Sequence, residues 1–121
     1  MGWREHRYAP PPGALLCRVD SVEDGACKEI RFGEGELALS LLLHRDGIDM
    51  YAYVNSCPHF SLPLNARPGR FLLLTGRRVM CAWHCAEFQL TDGHCLSGPA
   101  AGLALERVAL TVRDGSAYLS E

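Results

Sequence analysis

Four residues carry the strongest chemical signal in this chain: Cys57 and His59 in the run Cys57-Pro58-His59, and Cys81 and His84 in the run Cys81-Ala82-Trp83-His84. Two thiols and two imidazoles, split as one pair per short segment, make a metal-ligand set, because thiolate sulfur and neutral imidazole nitrogen both offer a lone pair to a borderline or soft cation. Two chemistries use such a set. Tetrahedral zinc accepts two cysteines and two histidines, which would make the chain a structural zinc-binding domain. The order Cys-x-His then Cys-x-x-His narrows the set towards a unit of two irons and two sulfides in which imidazoles replace two of the usual four thiolates.

The elements that must position these ligands read as all-β. Short apolar or alternating runs span 15–19, 27–32, 36–44 and 48–54, separated by the turn signals Asp24-Gly25, Gly33-Glu34-Gly35 and Arg45-Asp46-Gly47. Pairing Leu41-Leu42-Leu43-His44 with Tyr51-Ala52-Tyr53-Val54 across Asp46-Gly47 gives a hairpin that leads directly into Cys57. The second half repeats the style with runs at 71–74, 79–82, 87–90, 107–112 and 117–119, the last two joined across Asp114-Gly115. No stretch has a helical period. Residues 1–13, ending in Ala9-Pro10-Pro11-Pro12-Gly13, read as a flexible leader or a strap across the surface, and 14–121 as one domain.

Composition narrows the function classes. A chain of 121 residues, 48% hydrophobic, supports one core. Twelve basic against 14 acidic residues, with no Lys/Arg cluster of nucleic-acid type, argue against a nucleic-acid binder. The longest apolar run, Leu37 to Leu43, is too short to span a bilayer, so a soluble, cytoplasmic protein without a membrane role is expected. Of six cysteines, Cys17, Cys27, Cys85 and Cys95 lie outside the ligand set and read as buried or half-buried free thiols. Cys85, next to a ligand, could instead be reactive or pair with Cys95. His6, His44 and His94 read as surface or hydrogen-bonding side chains. There is no Ser-His-acid grouping, no phosphate-binding glycine loop and no oxygen-activating 2-His-1-carboxylate set, so the chain reads as an electron-transfer protein and not as an enzyme.

The segments from Asn55 to Leu64 and from Cys81 to Ala100 together resemble the two cluster-binding loops of Rieske-type 2Fe-2S ferredoxins. Besides the ligands they share the Pro after the first Cys, the aromatic-Leu pair Phe60 and Leu62, Asp92-Gly93, and the ending Cys95-Leu96-Ser97-Gly98-Pro99. The resemblance implies an antiparallel β-sandwich with a small cluster-binding subdomain at about 55–100, made of two loops. It implies that Cys57 and Cys81 hold the inner iron and His59 and His84 the outer one. The function implied is a soluble one-electron carrier, resembling ferredoxins that pass electrons from a reductase to an oxygenase or similar acceptor. A small subunit of a nitrite-reductase-like complex is the alternative within the family.

Family members of high potential carry Ser and Tyr donors where this chain has Ala86 and Phe88, and a loop-tying disulfide where it has Leu62 and Trp83. Hydrogen bonds to cluster sulfur stabilise the more negative, reduced state, so their lack implies a low-potential centre. Gly often follows the second His in the family, and Cys85 stands there; a Gly at such a place usually supplies an unusual backbone angle. Trp83 reads as a hydrophobic cover, and Phe60, Leu62, Pro63 and Pro99 as an apolar rim suited to shielding or docking. Arg67, Arg70, Arg77 and Arg78 form a basic stretch between the loops, a solvated hairpin or a steering surface for an acidic partner.

Overall fold

The computed structural model describes residues 2–58, 62–67, 69–83, 85–98 and 102–120. Its strands are β1 (Leu15–Arg18), β2 (Cys27–Phe32), β3 (Leu39–Asp46), β4 (Asp49–Val54), β5 (Leu72–Leu74), β6 (Arg78–Met80), β7 (Glu87–Gln89), β8 (Cys95–Ser97), β9 (Arg107–Val108), β10 (Leu110–Arg113) and β11 (Ser116–Leu119). They pair antiparallel into three sheets, in the orders β1-β11-β10, β2-β3-β4-β9 and β5-β6-β7-β8. The helical content among the described residues is three single 3-10 turns, and no described helix is long and apolar enough to cross a membrane.

Strand alternation explains how the middle sheet serves two cores. Successive side chains of a strand point to opposite faces. On β3, Leu39, Leu41 and Leu43 join Ala52, Val108, Ala117 and Leu119 in a core shared with the β1-β11-β10 sheet. Leu42, one residue out of phase, joins Tyr53, Val79, Phe88, Leu90 and the thiols of Cys57 and Cys81 in a second core under the β5–β8 sheet. Burial of each such leucine stabilises the fold by about 1.5–3 kcal/mol relative to exposure. The buried Tyr53 hydroxyl donates to the Leu90 carbonyl at 2.8 Å, fastening the middle sheet to the outer one.

The turn chemistry sets the register. β3 pairs with β4 from Leu41↔Val54 to Asp46↔Asp49, the pairing the sequence indicates. The loop is Gly47-Ile48, with Gly47 at φ +66, one residue later than Asp46-Gly47. Asp114 and Gly115, at φ +50 and +76, close β10 onto β11 as a two-residue turn with both central residues left-handed.

Three differences from the expected strands have local causes. Residues Gly35–Leu37 make a 3-10 turn, and β3 begins only at Leu39, because Gly33 and Gly35 both take positive φ and break the extended chain. The run 107–112 divides at Ala109: β9 pairs with β4 and β10 with β11, so the chain changes sheets there. β8, which pairs with β7, is three residues long and too short to stand out in the sequence. Residues 2–13, expected as a flexible leader or strap, lie as a strap: Trp3 is in the first core, its amide donates to Glu106 at 2.9 Å, and Arg4 donates to the Ser120 carbonyl.

Candidate metal centre

Two loops at one end of the molecule carry the sequence-indicated ligands. The first leaves β4 at Asn55 and the second joins β6 to β7. Cys57 and Cys81 are fully buried and belong to the same core, so the fold brings together thiols that are remote in sequence. His59 and His84 lie outside the described residues, as do Phe60, Ser61 and Pro99.

Backbone hydrogen bonds shape each loop around its cysteine. The Cys57 amide donates to the Leu62 carbonyl at 2.7 Å, closing the chain over the intervening residues. The Cys81 amide donates to Ala86 at 2.7 Å, and the Cys85 amide donates back to the Cys81 carbonyl at 3.0 Å. Cys85 takes φ +61, the left-handed conformation that a glycine there would adopt without cost, and its side chain is exposed. The thiol therefore faces solvent instead of packing under the loop. Gly98 shows why the second loop is so tightly seated: a Cβ there would come within 2.8 Å of the Ala86 Cα.

The two loops are tied to each other without a disulfide at the Leu62 and Trp83 positions. The Ala82 amide donates to the Leu64 carbonyl at 2.9 Å. The Trp83 indole N–H donates to the Pro63 carbonyl at 2.8 Å while half of the side chain stays exposed, so Trp83 is a strut as well as a cover. Ala86 and Phe88 are both fully buried beside the cysteines, and neither side chain carries a donor.

A buried polar network, invisible in the sequence, holds the first loop against β2 and β3. Asn55 accepts from the Leu64 amide at 2.9 Å and donates to Asn65 at 2.7 Å and to Ser40 at 3.1 Å. Glu29 closes the network, accepting from Ser40 at 2.6 Å, Asn65 at 3.0 Å and the Gly69 amide at 2.7 Å. Burial disfavours the Glu29 charge, but these bonds and the nearby Arg31 outweigh it and hold the carboxyl below the usual glutamate range.

The remaining candidates fall elsewhere. His44 is fully buried, not on the surface: its Nδ1 lies 3.2 Å from the Ala26 carbonyl, its Nε2 has no partner, and burial lowers its pKa. Burial likewise pushes the neighbouring Cys27 thiol up to about 12, which keeps it protonated and unreactive. His94 is exposed beside Asp92, and His6 accepts from the Tyr8 amide. Cys17 and Cys95 are half-buried thiols, and Arg77 and Arg78 are paired with Asp46 and Glu87.

Three antiparallel sheets, with two thiols buried in one core where the loop after β4 meets the β6–β7 loop, define a small all-β domain. The chain belongs to the Rieske [2Fe-2S] domain family, which it matches over residues 14–108. It is 32% identical over 91 residues to human apoptosis-inducing factor 3 and 32% identical over 80 residues to the mouse protein, covering 73% and 66% of this chain. The matched part spans only 14% and 12% of those relatives' lengths. In fold it is similar to the ferredoxin of carbazole 1,9a-dioxygenase from Nocardioides aromaticivorans IC177, with TM-score 0.67, 16% identity, and coverage of 91% of this chain and 98% of that one. A Sphingomonas yanoikuyae B1 ferredoxin gives TM-score 0.65 at 18% identity over 90% of this chain and 98% of its own. The buried thiols of Cys57 and Cys81, each on a loop closed by backbone hydrogen bonds, fit the cysteine half of such a cluster's ligand set.

Proposed function

We propose that the protein is a one-electron carrier, with Cys57 and Cys81 as thiolate ligands and His59 and His84 as imidazole ligands of a Rieske 2Fe-2S cluster. The observation that carries this reading is the convergence of Cys57 and Cys81 in one buried core at the meeting of two tied loops. When bound, the cluster takes up and returns a single electron. The protein's own groups do the rest: the core excludes water from the thiols, and the Ala82–Leu64 and Trp83–Pro63 bonds keep the two loops in one relative position through a redox cycle. No catalytic grouping accompanies the site among the described residues, so a carrier serves better than a substrate-transforming enzyme, with a reductase as donor and an oxygenase or similar acceptor. Unoxidised thiols at Cys17, Cys27 and Cys95 suit a reducing compartment such as the cytoplasm. Ala86 and Phe88, buried and without donors, favour a potential toward the low end of the Rieske range, about −150 mV.

The test is anaerobic purification with iron and sulfide analysis, followed by electron paramagnetic resonance of the dithionite-reduced protein and a redox titration. A Rieske-type signal that His59→Ala and His84→Ala each abolish supports the assignment. Iron-free protein, or a zinc-loaded and colourless one, would end it, and a midpoint well above zero would overturn the argument from Ala86 and Phe88.

A further inference from the structure

Most arginines of this chain have a local partner. Arg18, Arg31, Arg77 and Arg78 meet carboxylates, Arg45 donates to backbone carbonyls, and Arg4, Arg7 and Arg113 lie over aromatic rings. Arg67, Arg70 and Arg107 have no such partner among the described residues, and of these Arg67 and Arg70 stand together. They face each other across a tight turn, with the Arg70 amide donating to the Arg67 carbonyl at 3.0 Å, and both are exposed. Residues opposed in an antiparallel bridge put their side chains on the same side, and like charges so placed repel. No carboxylate among the described residues offsets them. The acid bonded to this turn, Glu29, is 5% exposed and its oxygens are taken by Ser40, Asn65 and the Gly69 amide. Arg31 stands 3.8 Å from that same carboxylate with its side chain half exposed. The turn that carries Arg67 and Arg70 is thus bonded to Glu29 through the Gly69 amide, its two guanidinium groups have no carboxylate partner among the described residues, and Arg31 stands beside the same carboxylate, in a chain whose net charge is −2.

This basic corner adjoins a groove. Arg31 also lines a cavity of about 710 Å³ between the N-terminal strap and the first loop, whose apolar wall includes Leu39, Val54, Leu62 and Pro63. Leu62 is exposed at the tip of the first loop, and its carbonyl is the acceptor for the Cys57 amide. The groove therefore runs from the basic corner to the loop that carries a proposed ligand.

We infer that Arg31, Arg67 and Arg70, with the groove beside them, are the docking surface for an acidic, leucine-bearing segment of a redox partner protein. The inference rests on the electron-carrier reading for the partner's role, while the recognition chemistry stands on charge and shape. Carboxylates on the partner pair with the three arginines, relieving the repulsion between Arg67 and Arg70, and an apolar side chain enters the groove. Orientation follows, because the acidic contact lies to one side of the first loop and sets which face of the partner meets its tip.

The test uses the cluster-loaded protein and a fluorescent glutamate–leucine peptide, with binding followed by polarisation at low and at physiological salt. Arg67→Glu with Arg70→Glu should weaken binding by about tenfold or more at low salt, and the wild-type affinity should fall as salt is added. The control pair Arg18→Glu with Arg113→Glu, which flank Ser116 on the β1-β11-β10 sheet, should leave binding within about twofold. An all-glutamate peptide should bind more weakly than the leucine-bearing one. Absence of wild-type binding at low salt, equal loss in both charge-reversed proteins, or equal affinity for the two peptides overturns the inference. The iron content and reduced spectrum of the same preparations report separately on the cluster, so a failure of the carrier reading is distinguished from a failure of the docking surface.

Discussion

Glu29→Gln is the sharpest test of how the first loop is held. In the wild type the carboxylate accepts three hydrogen bonds, from Ser40 at 2.6 Å, the Gly69 amide at 2.7 Å and Asn65 at 3.0 Å, with Arg31 at 3.8 Å. Glutamine has nearly the same shape but one acceptor oxygen and an NH₂ that must point at a donor. The variant keeps in neutral form the two bonds made to one oxygen, from Asn65 and the Gly69 amide, and loses the Ser40 donation, because its NH₂ can meet Ser40 only if that hydroxyl turns from donor to acceptor. A charge-assisted hydrogen bond contributes about 1.5–3 kcal/mol and a neutral one about 0.5–1.5 kcal/mol. The change therefore costs about 2–3 kcal/mol, or a fall of about 8–12 °C in thermal midpoint for a chain of this size.

The pH dependence has a definite sign. Because the folded-state pKa of Glu29 is depressed, its contribution is present above the unfolded value near 4.5 and is lost as pH falls through the folded pKa. The gap between wild type and Glu29→Gln should be widest at neutral pH and shrink below about pH 4.5. Circular dichroism melts at several pH values, read beside the visible absorbance of the cluster, measure both. A variant melting within about 1 °C of wild type at neutral pH, or a gap that does not change on acidification, refutes the reasoning.

Four further outcomes follow from single features of the structure. Trp83→Phe removes the indole bond to the Pro63 carbonyl and should speed iron release to a chelator while lowering stability by only about 0.5–1.5 kcal/mol; unchanged release kinetics would deny the strut role. Cys85→Gly relieves a left-handed non-glycine residue at φ +61 and should raise the unfolding midpoint by the equivalent of about 1 kcal/mol in denaturant titrations. Gly98→Ala places a Cβ within 2.8 Å of the Ala86 Cα at φ +96 and should cost at least about 2 kcal/mol, seen as poor cluster retention and a lowered melting temperature. His44 is held below its usual pKa by burial, so the unfolded chain takes up a proton that the folded one refuses; stability should decline as pH drops below about 6.5, and His44→Met should flatten that slope in melts at successive pH values.

Much of the candidate site was legible in the sequence because closely spaced Cys and His residues and turn residues are local signals, and the structure brings Cys57 and Cys81 into one core. Cys57 and Cys81 stand in runs whose spacing alone names a ligand set, and Asp114-Gly115 is the turn its residues specify. The β3–β4 register could be anticipated because strand alternation and a short loop leave few choices. What escaped was non-local. Nothing near Glu29 marks it as the anchor of a loop that includes Asn65, 36 residues away, and Trp83 reads as cover until the Pro63 carbonyl is placed before its indole nitrogen. His44 reads as a surface or hydrogen-bonding side chain; it contacts the Ala26 carbonyl and is buried because it falls on the same strand face as Leu42. Strands of three residues, such as β8, exist through their partners and have too little pattern to announce themselves.

The double duty of β3 and β4 has a consequence for how this protein can be taken apart. Leu42 and Tyr53 form the floor beneath the thiol-bearing loops, while Leu41, Leu43 and Ala52 form the ceiling of the opposite layer. A mini-protein cut to the loops and β5–β8 would lose that floor and expose Val79 and Phe88, so it has no route to independent folding. Transplantation of the thiol-bearing lobe onto another scaffold must carry the whole β3–β4 hairpin with it. Damage to either layer should also reach the other, since the same two ribbons bear the load of both.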